Sequence, residues 1–291
     1  MVALSALPYK KAMRRGGKLT IGRRISRPWM GLCLAAVLLP GVACAAAVQD
    51  GTKPWPDAVV PYHFNSDLLK RAGAKGADCT GWQTWSAATS AAKACRAMDE
   101  WSTETGVRFV PDEKRLDSLY IVGSADATNA TLGHLPAFNQ VQIEPKASYG
   151  SVLHEFGHVL GLMHEHQRPD RDAYLTLSPF LKTYLDQCWL SLSDVCRDVR
   201  NAFPTLKVQM SSPYDPCSNM HYLANQAPRH REDARWSRIF TLTAKGEAAL
   251  KACLPQFAAS PARCRTVGQK CAIARDDAAI VRRFQGVTSS R

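Results

Sequence analysis

Residues 154–164 read HEFGHVLGLMH, with three histidines and one glutamate at fixed spacing. His154 and His158 are four residues apart, so on an α-helix their imidazoles project from the same face. Gly161 follows within one turn, and a residue without a Cβ can adopt a left-handed conformation that ends the helix. The chain can then turn back and bring His164 to the other two rings. Three neutral imidazoles leave a fourth position for water, which is typical of a catalytic zinc site.

Glu155 lies about 100° around the helix from His154, so its carboxylate cannot easily join the histidines as a ligand. It can instead hydrogen-bond a zinc-bound water, whose pKa the ion lowers to about 7. A carboxylate in that position can take the proton of the water and later pass it to a leaving amine. The segment therefore predicts one Zn²⁺ per chain, held by His154, His158 and His164, with Glu155 as the general base of peptide hydrolysis.

The flanking sequence contains strand-like and helix-like segments without an internal repeat. Short apolar runs bounded by Pro or Gly predict strands, and apolar residues at helical spacing predict helices. We expect strands at residues 59–64, 107–110, 119–122 and 141–144, and helices at 87–102, 149–160 and 271–284. After His166 the chain is rich in turns, prolines and cysteines. This order predicts an α+β fold with a mixed sheet, not a run of regular strand–helix units.

Residues 154–172, HEFGHVLGLMHEHQRPDRD, closely resemble the zinc motif of the astacin family of zinc peptidases, within the metzincin clan. The long zinc motif is common to the clan, whereas Glu165 and the RPDRD that begins at Arg168 indicate astacins in particular. Residues 214–222, YDPCSNMHY, are similar to the Met-turn of the family. Trp55-Pro56 resembles the start of an astacin catalytic domain. The resemblance spans about residues 46–286 and is thin between residues 223 and 271.

The resemblance implies an α+β, zincin-like (metzincin) catalytic domain over residues 46–291. Its upper subdomain, residues 46–165, would contain a mixed twisted sheet and the zinc helix. The lower subdomain, residues 166–291, would be irregular and disulfide-containing, with the Met-turn. By the same resemblance Met220 lies beneath the zinc histidines, and Tyr222 is a second catalytic residue that binds the oxyanion. The substrate would lie along an edge strand, for which residues 129–137 and 141–144 are alternatives.

The formal net charge of +12 suggests a nucleic-acid-binding protein, but its distribution excludes nucleic acid as a partner. Residues 1–44 carry eight basic and no acidic side chains, which leaves 29 basic against 25 acidic residues in the remainder. An apolar run at 29–39 and Ala43-Cys44-Ala45 follow the basic stretch, and together they predict a secretory leader, residues 1–45. Pro40 interrupts this run, which is short for a membrane span. The alternatives are an uncleaved leader that stays in the membrane and a lipid anchor at Cys44.

Eight cysteines follow the leader, an even number that predicts up to four disulfides in an exported protein. Eight cysteines allow 105 pairings, and the sequence does not choose among them. The leader and the cysteines together predict a secreted or periplasmic protein.

The predicted function is that of a zinc-dependent endopeptidase that acts on protein or peptide substrates. We expect a monomer. Most astacin relatives carry a pro-segment that blocks the zinc, and the sequence leaves no room for one, so an inhibitor protein or export itself would restrain the enzyme. Two alternatives stay open. One is a catalytically inactive zinc-containing protein that binds peptides or cell-wall material, and the other is a metal-dependent hydrolase of a non-peptide amide.

Overall fold

The computed structural model describes residues 47–210, 212–225 and 234–288, so the predicted leader and Cys44 lie outside the described residues. The strands of the described part are β1 (Ala47–Gln49), β2 (Val59–Phe64), β3 (Arg108–Pro111), β4 (Leu119–Gly123), β5 (Asn129–Ala130), β6 (Gln140–Ile143), β7 (Leu175–Leu177), β8 (Val208–Met210) and β9 (Phe240–Leu242). Its α-helices are α1 (Ser66–Ala72), α2 (Ser90–Thr105), α3 (Tyr149–Val159), α4 (Pro179–Cys188), α5 (Asp194–Ala202), α6 (Ala244–Cys253) and α7 (Arg275–Phe284).

Five strands form one mixed sheet in the order β3–β2–β4–β6–β5. The pairs β2–β3, β2–β4 and β4–β6 are parallel, whereas β5 is antiparallel to β6 and forms an edge of the sheet. The candidate edge at residues 141–144 is therefore wrong, because β6 is paired on both sides. Of the two alternatives, residues 129–137 contain the edge strand. The pairs β1–β8 and β7–β9 form two small antiparallel sheets.

The three expected helices are present, with bounds that local contacts shift. α2 begins at Ser90 because the Thr89 side chain accepts the N–H of Ala92, and it ends where Gly106 adopts a left-handed conformation at φ 77°. α7 begins at Arg275, later than the expected residue 271, because the preceding Ala274 is extended. Beyond His166 the chain also forms α4, α5 and α6 among its loops.

The core has two main apolar clusters. In the first, α3 packs against α2 and against strands β5 and β6 of the large sheet. The Trp101 indole of α2 donates to the carbonyl oxygen of Leu153 at 3.0 Å and fixes the spacing of the two helices. The second cluster surrounds Trp236 and Phe203 and joins α4 and α5 to β7 and β9.

All eight cysteines counted after the leader are paired, and each disulfide joins two consecutive cysteines in chain order. The pairs are Cys79–Cys95, Cys188–Cys196, Cys217–Cys253 and Cys264–Cys271. Four disulfides fit an oxidising compartment. In the described part of the chain, every helix is too short or too polar to cross a bilayer.

Candidate metal centre

The chain reverses directly after α3. Gly161 adopts φ 97°, and a Cβ at this position would lie 2.3 Å from the Phe284 ring, so both the backbone and the packing require glycine. Leu162 then forms an antiparallel bridge with Val48. This reversal returns His164 to the face of α3 that carries the other two histidines.

The Nε2 atoms of the three predicted ligands converge. Nε2 of His164 lies 3.0 Å from Nε2 of His158 and 3.1 Å from Nε2 of His154. The rings of His154 and His164 are nearly parallel, at 17°, whereas the His158 ring stands at 86° and 79° to them. The structure therefore brings the three histidines together around one point.

Each ring is fixed by a hydrogen bond at its other nitrogen. Nδ1 of His154 and Nδ1 of His158 donate to backbone carbonyl oxygens at 2.7 Å each. Nδ1 of His164 donates to the side-chain oxygen of Gln167 at 2.8 Å. Protons on the three Nδ1 atoms leave lone pairs on the three Nε2 atoms, and these repel one another unless a cation lies between them. A set of three imidazoles fits zinc.

Burial lowers the pKa of all three imidazoles, for His158 to about 4. At pH 7 the rings are therefore neutral and carry no extra proton that would compete with a metal ion. Glu155 follows His154 on α3, is only 8% exposed and lines the same cleft as the histidines. The four predicted residues of the segment are thus assembled in one place.

The Met-turn, residues 214–222, lies beneath these rings. The carbonyl oxygen of Asn219 accepts the hydrogen bond from His154, and the Asn219 N–H donates to Asp277 of α7 at 2.9 Å. Met220 is buried, and a Cβ on Gly157 of α3 would lie 2.5 Å from its sulfur. Met220 therefore packs directly against the helix.

The three rings open onto a cleft of about 1000 Å³. Asn129 and Ala130 of the edge strand β5 line one part of it, and Asp198 and Asn201 of α5 line another. Tyr222 also lines the cleft. An edge strand beside the metal centre leaves backbone groups that an extended chain could pair with.

Tyr222 lies against the histidines. Its ring centroid is 4.6 Å from that of His164 and 4.1 Å from that of His166. Burial, followed by the charge of Glu155, raises the pKa of Tyr222 above its ordinary value. The hydroxyl therefore keeps its proton near neutral pH and can donate a hydrogen bond.

Lys270 is a residue of the site that the sequence analysis did not identify. Its Nζ donates to the Asn219 carbonyl oxygen at 2.5 Å and lies 2.8 Å from Nδ1 of His154. Burial lowers the pKa of Lys270 to about 7, while the charge of Glu155 acts in the opposite direction. A single lysine beside a cysteine forms no recognisable pattern, and only the fold of the Cys264–Cys271 loop brings it to the cleft.

Comparison with known proteins identifies one family and several relatives. The family described as Astacin (Peptidase family M12A) has a sequence model that matches residues 47–234. Nematocyst expressed protein 6 of Nematostella vectensis is 32% identical over 130 residues, which are 43% of this chain and 38% of that protein. Zinc metalloproteinase nas-8 of Steinernema carpocapsae is 26% identical over 175 residues, which are 58% of this chain and 34% of that protein. The chain thus spans little more than a third of the length of these relatives.

A solved structure shares the fold. High choriolytic enzyme 1, a hatching enzyme zinc-protease from Oryzias latipes, superposes with a TM-score of 0.54 at 19% sequence identity. The superposition covers 81% of this chain and 94% of the other. At this identity the likeness concerns the fold, and it confirms the expected α+β, zincin-like architecture.

Proposed function

The chain belongs to the astacin family, the zinc-dependent metallopeptidases of family M12A, and on this premise we propose that it is an endopeptidase that hydrolyses peptide bonds in proteins or peptides. The observation that carries the proposal is the convergence of three Nε2 atoms whose rings all donate through Nδ1. The proposed chemistry resides in five side chains that all line one cleft: His154, Glu155, His158, His164 and Tyr222.

His154, His158 and His164 would hold one Zn²⁺ through Nε2. When bound, zinc supplies Lewis-acid chemistry, because it makes water acidic near neutral pH and polarises a carbonyl. The chain contributes the neutral state of the rings, which burial maintains, and their orientation, which the Nδ1 hydrogen bonds maintain.

Glu155 would act as the general base. Its carboxylate accepts a proton from the attacking water and then delivers that proton to the nitrogen of the leaving amine. Three observations support this role: Glu155 is next to His154 in the sequence, it is only 8% exposed, and it lines the same cleft as the histidines.

Tyr222 would donate a hydrogen bond to the oxyanion that develops on the scissile carbonyl. Its contact with His164 and its raised pKa support this role. The substrate would pair through its main chain with β5, since Asn129 and Ala130 line the cleft beside the histidines.

A matched pair of proteins tests the proposal. The zinc-loaded chain should hydrolyse casein, and Glu155→Gln should lower kcat by at least about 10³-fold while it retains one zinc per chain by mass spectrometry. Hydrolysis at the wild-type rate in Glu155→Gln would exclude Glu155 as the base. Zinc binding without hydrolysis by the wild-type chain would favour the inactive binding protein, and cleavage confined to peptidoglycan amides would favour a non-peptide substrate.

The remaining expectations concern the whole protein. We propose that residues 1–45 are removed as a secretory leader, and that residues 46–165 and 166–291 are the two subdomains of a secreted or periplasmic monomer. The four disulfides support an oxidising compartment. Amino-terminal sequencing of the exported protein should give a start near Ala46, whereas a lipidated amino terminus at Cys44 would replace the cleaved leader with an anchor.

A further inference from the structure

The connection between α4 and α5 exposes three large apolar side chains. Trp189 is 76% exposed, Leu190 89% and Leu192 94%. We call residues 189–192 the apolar tip. Connections between helices are usually rich in polar residues and glycine, because apolar surface stabilises a fold only when it is buried. Three such side chains in a five-residue connection indicate a binding surface.

Several contacts hold the apolar tip in one arrangement. The Cys188–Cys196 disulfide closes it at its base. The Arg200 guanidinium donates to the carbonyl oxygens of Cys188 and Ser191. The Ser191 hydroxyl accepts the N–H of Ser193, whose own side chain caps α5. A preorganised surface of this kind loses little conformational entropy when it binds.

Helix α5 connects the apolar tip to the catalytic cleft. Asp198 and Asn201 of α5 line the cleft, and the Phe203 ring after the helix lies 5.9 Å from Tyr222. A helix of nine residues is about 14 Å long, which equals the span of about four residues of an extended chain. The apolar tip therefore stands at the outer end of a wall of the cleft.

We propose that the apolar tip is an exosite that binds apolar side chains of the protein substrate, about four residues from the scissile bond. This inference rests on the proposed endopeptidase function. The charges favour a protein segment over a membrane surface, since residues 179–210 carry four basic and three acidic side chains. One of the basic residues, Arg200, is already bound to the backbone of the tip. Anchoring to anionic lipids needs a basic cluster beside the apolar side chains.

Extended peptides test the exosite. Fluorogenic peptides are made with the same cleavable core and a four-residue spacer that leads to a three-residue extension. The extension is either Leu-Phe-Leu or Ser-Asn-Ser. Each extension is placed first at the amino end and then at the carboxyl end of the core. When the extension is on one of the two ends, we expect the zinc-loaded chain to cleave the Leu-Phe-Leu peptide with a kcat/KM at least about tenfold higher than that of the Ser-Asn-Ser peptide. The difference should arise from a lower KM. In the double variant Leu190→Ser with Leu192→Ser the ratio should fall to about one. Leu116→Ser changes a leucine that is 87% exposed in another loop and should keep the ratio.

The exosite is overturned if the double variant keeps the tenfold ratio. It is also overturned if the two peptides give the same kcat/KM ratio with the wild-type chain and with the double variant, and only the wild-type chain sediments with phosphatidylglycerol vesicles. The tip would then be a membrane anchor. Failure of the wild-type chain to cleave any peptide would instead refute the proposed function. Fluorescence anisotropy of the labelled peptides decides the exosite in that case, because tip-dependent binding supports it and equal binding by wild type and variant refutes it.

Discussion

The Nε2 atoms of His158 and His164 lie 3.0 Å apart although both rings donate through Nδ1 to oxygen acceptors. Two nitrogen lone pairs that face each other at this distance are unfavourable without a cation between them. The Nδ1 hydrogen bonds that orient the two rings do not involve the metal. The metal affinity should therefore depend on the acceptors of these hydrogen bonds.

Gln167 is the acceptor that orients His164, and it also donates to the Asn201 carbonyl oxygen at 2.8 Å. Gln167→Leu removes the acceptor, so we expect a zinc affinity 10- to 100-fold lower in competition with a chelator. Gln167→Glu keeps an oxygen that accepts from Nδ1 and should retain most of the affinity. Equal affinities of the leucine variant and the wild type would show that the His164 ring does not depend on Gln167.

Tyr222 should affect turnover but not metal content. Tyr222→Phe removes the hydroxyl that we assign to the oxyanion, and we expect kcat to fall by more than about tenfold at unchanged zinc stoichiometry. Tyr149→Phe is the matched control, because the Tyr149 hydroxyl bonds Glu100 at 2.5 Å and does not line the cleft. Unchanged turnover in Tyr222→Phe would remove this residue from the mechanism.

Gly161 allows a test that separates backbone strain from packing. Gly161→Ala imposes a left-handed conformation on alanine, which costs about 1–2 kcal/mol, and in addition displaces the Phe284 ring. Gly51→Ala is the matched control, because Gly51 has φ 89° and a Cβ there would meet nothing within 4 Å. We expect both variants to lower the midpoint of thermal unfolding and only Gly161→Ala to lower zinc affinity as well. Equal effects of the two variants on zinc binding would contradict this account of the turn.

The sequence predicts the histidine set because its geometry follows from local rules. The helical period aligns His154 with His158, and a glycine permits the turn to His164, so distant contacts are not needed to anticipate either step. Met220 and Tyr222 come instead from the resemblance of a segment more than 50 residues further along the chain. Their proximity to the site depends on the packing of the Met-turn against α3.

Other features depend on contacts between distant parts of the chain, so the sequence leaves them open. The alternation of apolar and polar residues in β6 is the same for an inner strand as for an edge strand, and only the pairing of β5 decides between them. Lys270 reaches His154 because the loop closed by Cys264 and Cys271 packs against Gly150, where a Cβ would lie 1.7 Å from the Lys270 carbonyl oxygen. The α4–α5 connection is apolar in composition, which a sequence alone cannot distinguish from a buried segment.

His221 gives the fold a pH dependence of predictable sign. It is fully buried, its Nδ1 donates to the Tyr222 carbonyl oxygen, and burial lowers its pKa from 6.5 to about 3. The unfolded chain keeps the ordinary pKa and so binds one more proton than the folded chain between about pH 3 and 6.5. The contribution of His221 to the free energy of unfolding is therefore complete above pH 6.5. It falls by up to about 1.4 kcal/mol per pH unit as the pH drops through this window.

Urea unfolding at pH 4, 5 and 6 in the presence of a chelator measures this slope without a contribution from bound metal. Buried Asp215 and Asp277 have pKa values that burial raises to about 7 and about 6, so they act in the opposite direction. The wild-type chain and the variant His221→Gln both contain these two aspartates. The difference between their unfolding free energies as a function of pH therefore isolates the contribution of His221. We expect the slope of the unfolding free energy against pH to decrease in His221→Gln by an amount close to the uptake of one proton. In His63→Gln, at a partly exposed position, the decrease should be much smaller. Parallel curves for wild type and His221→Gln would mean that His221 is protonated in the folded protein, which its buried contact with the Tyr214 hydroxyl argues against.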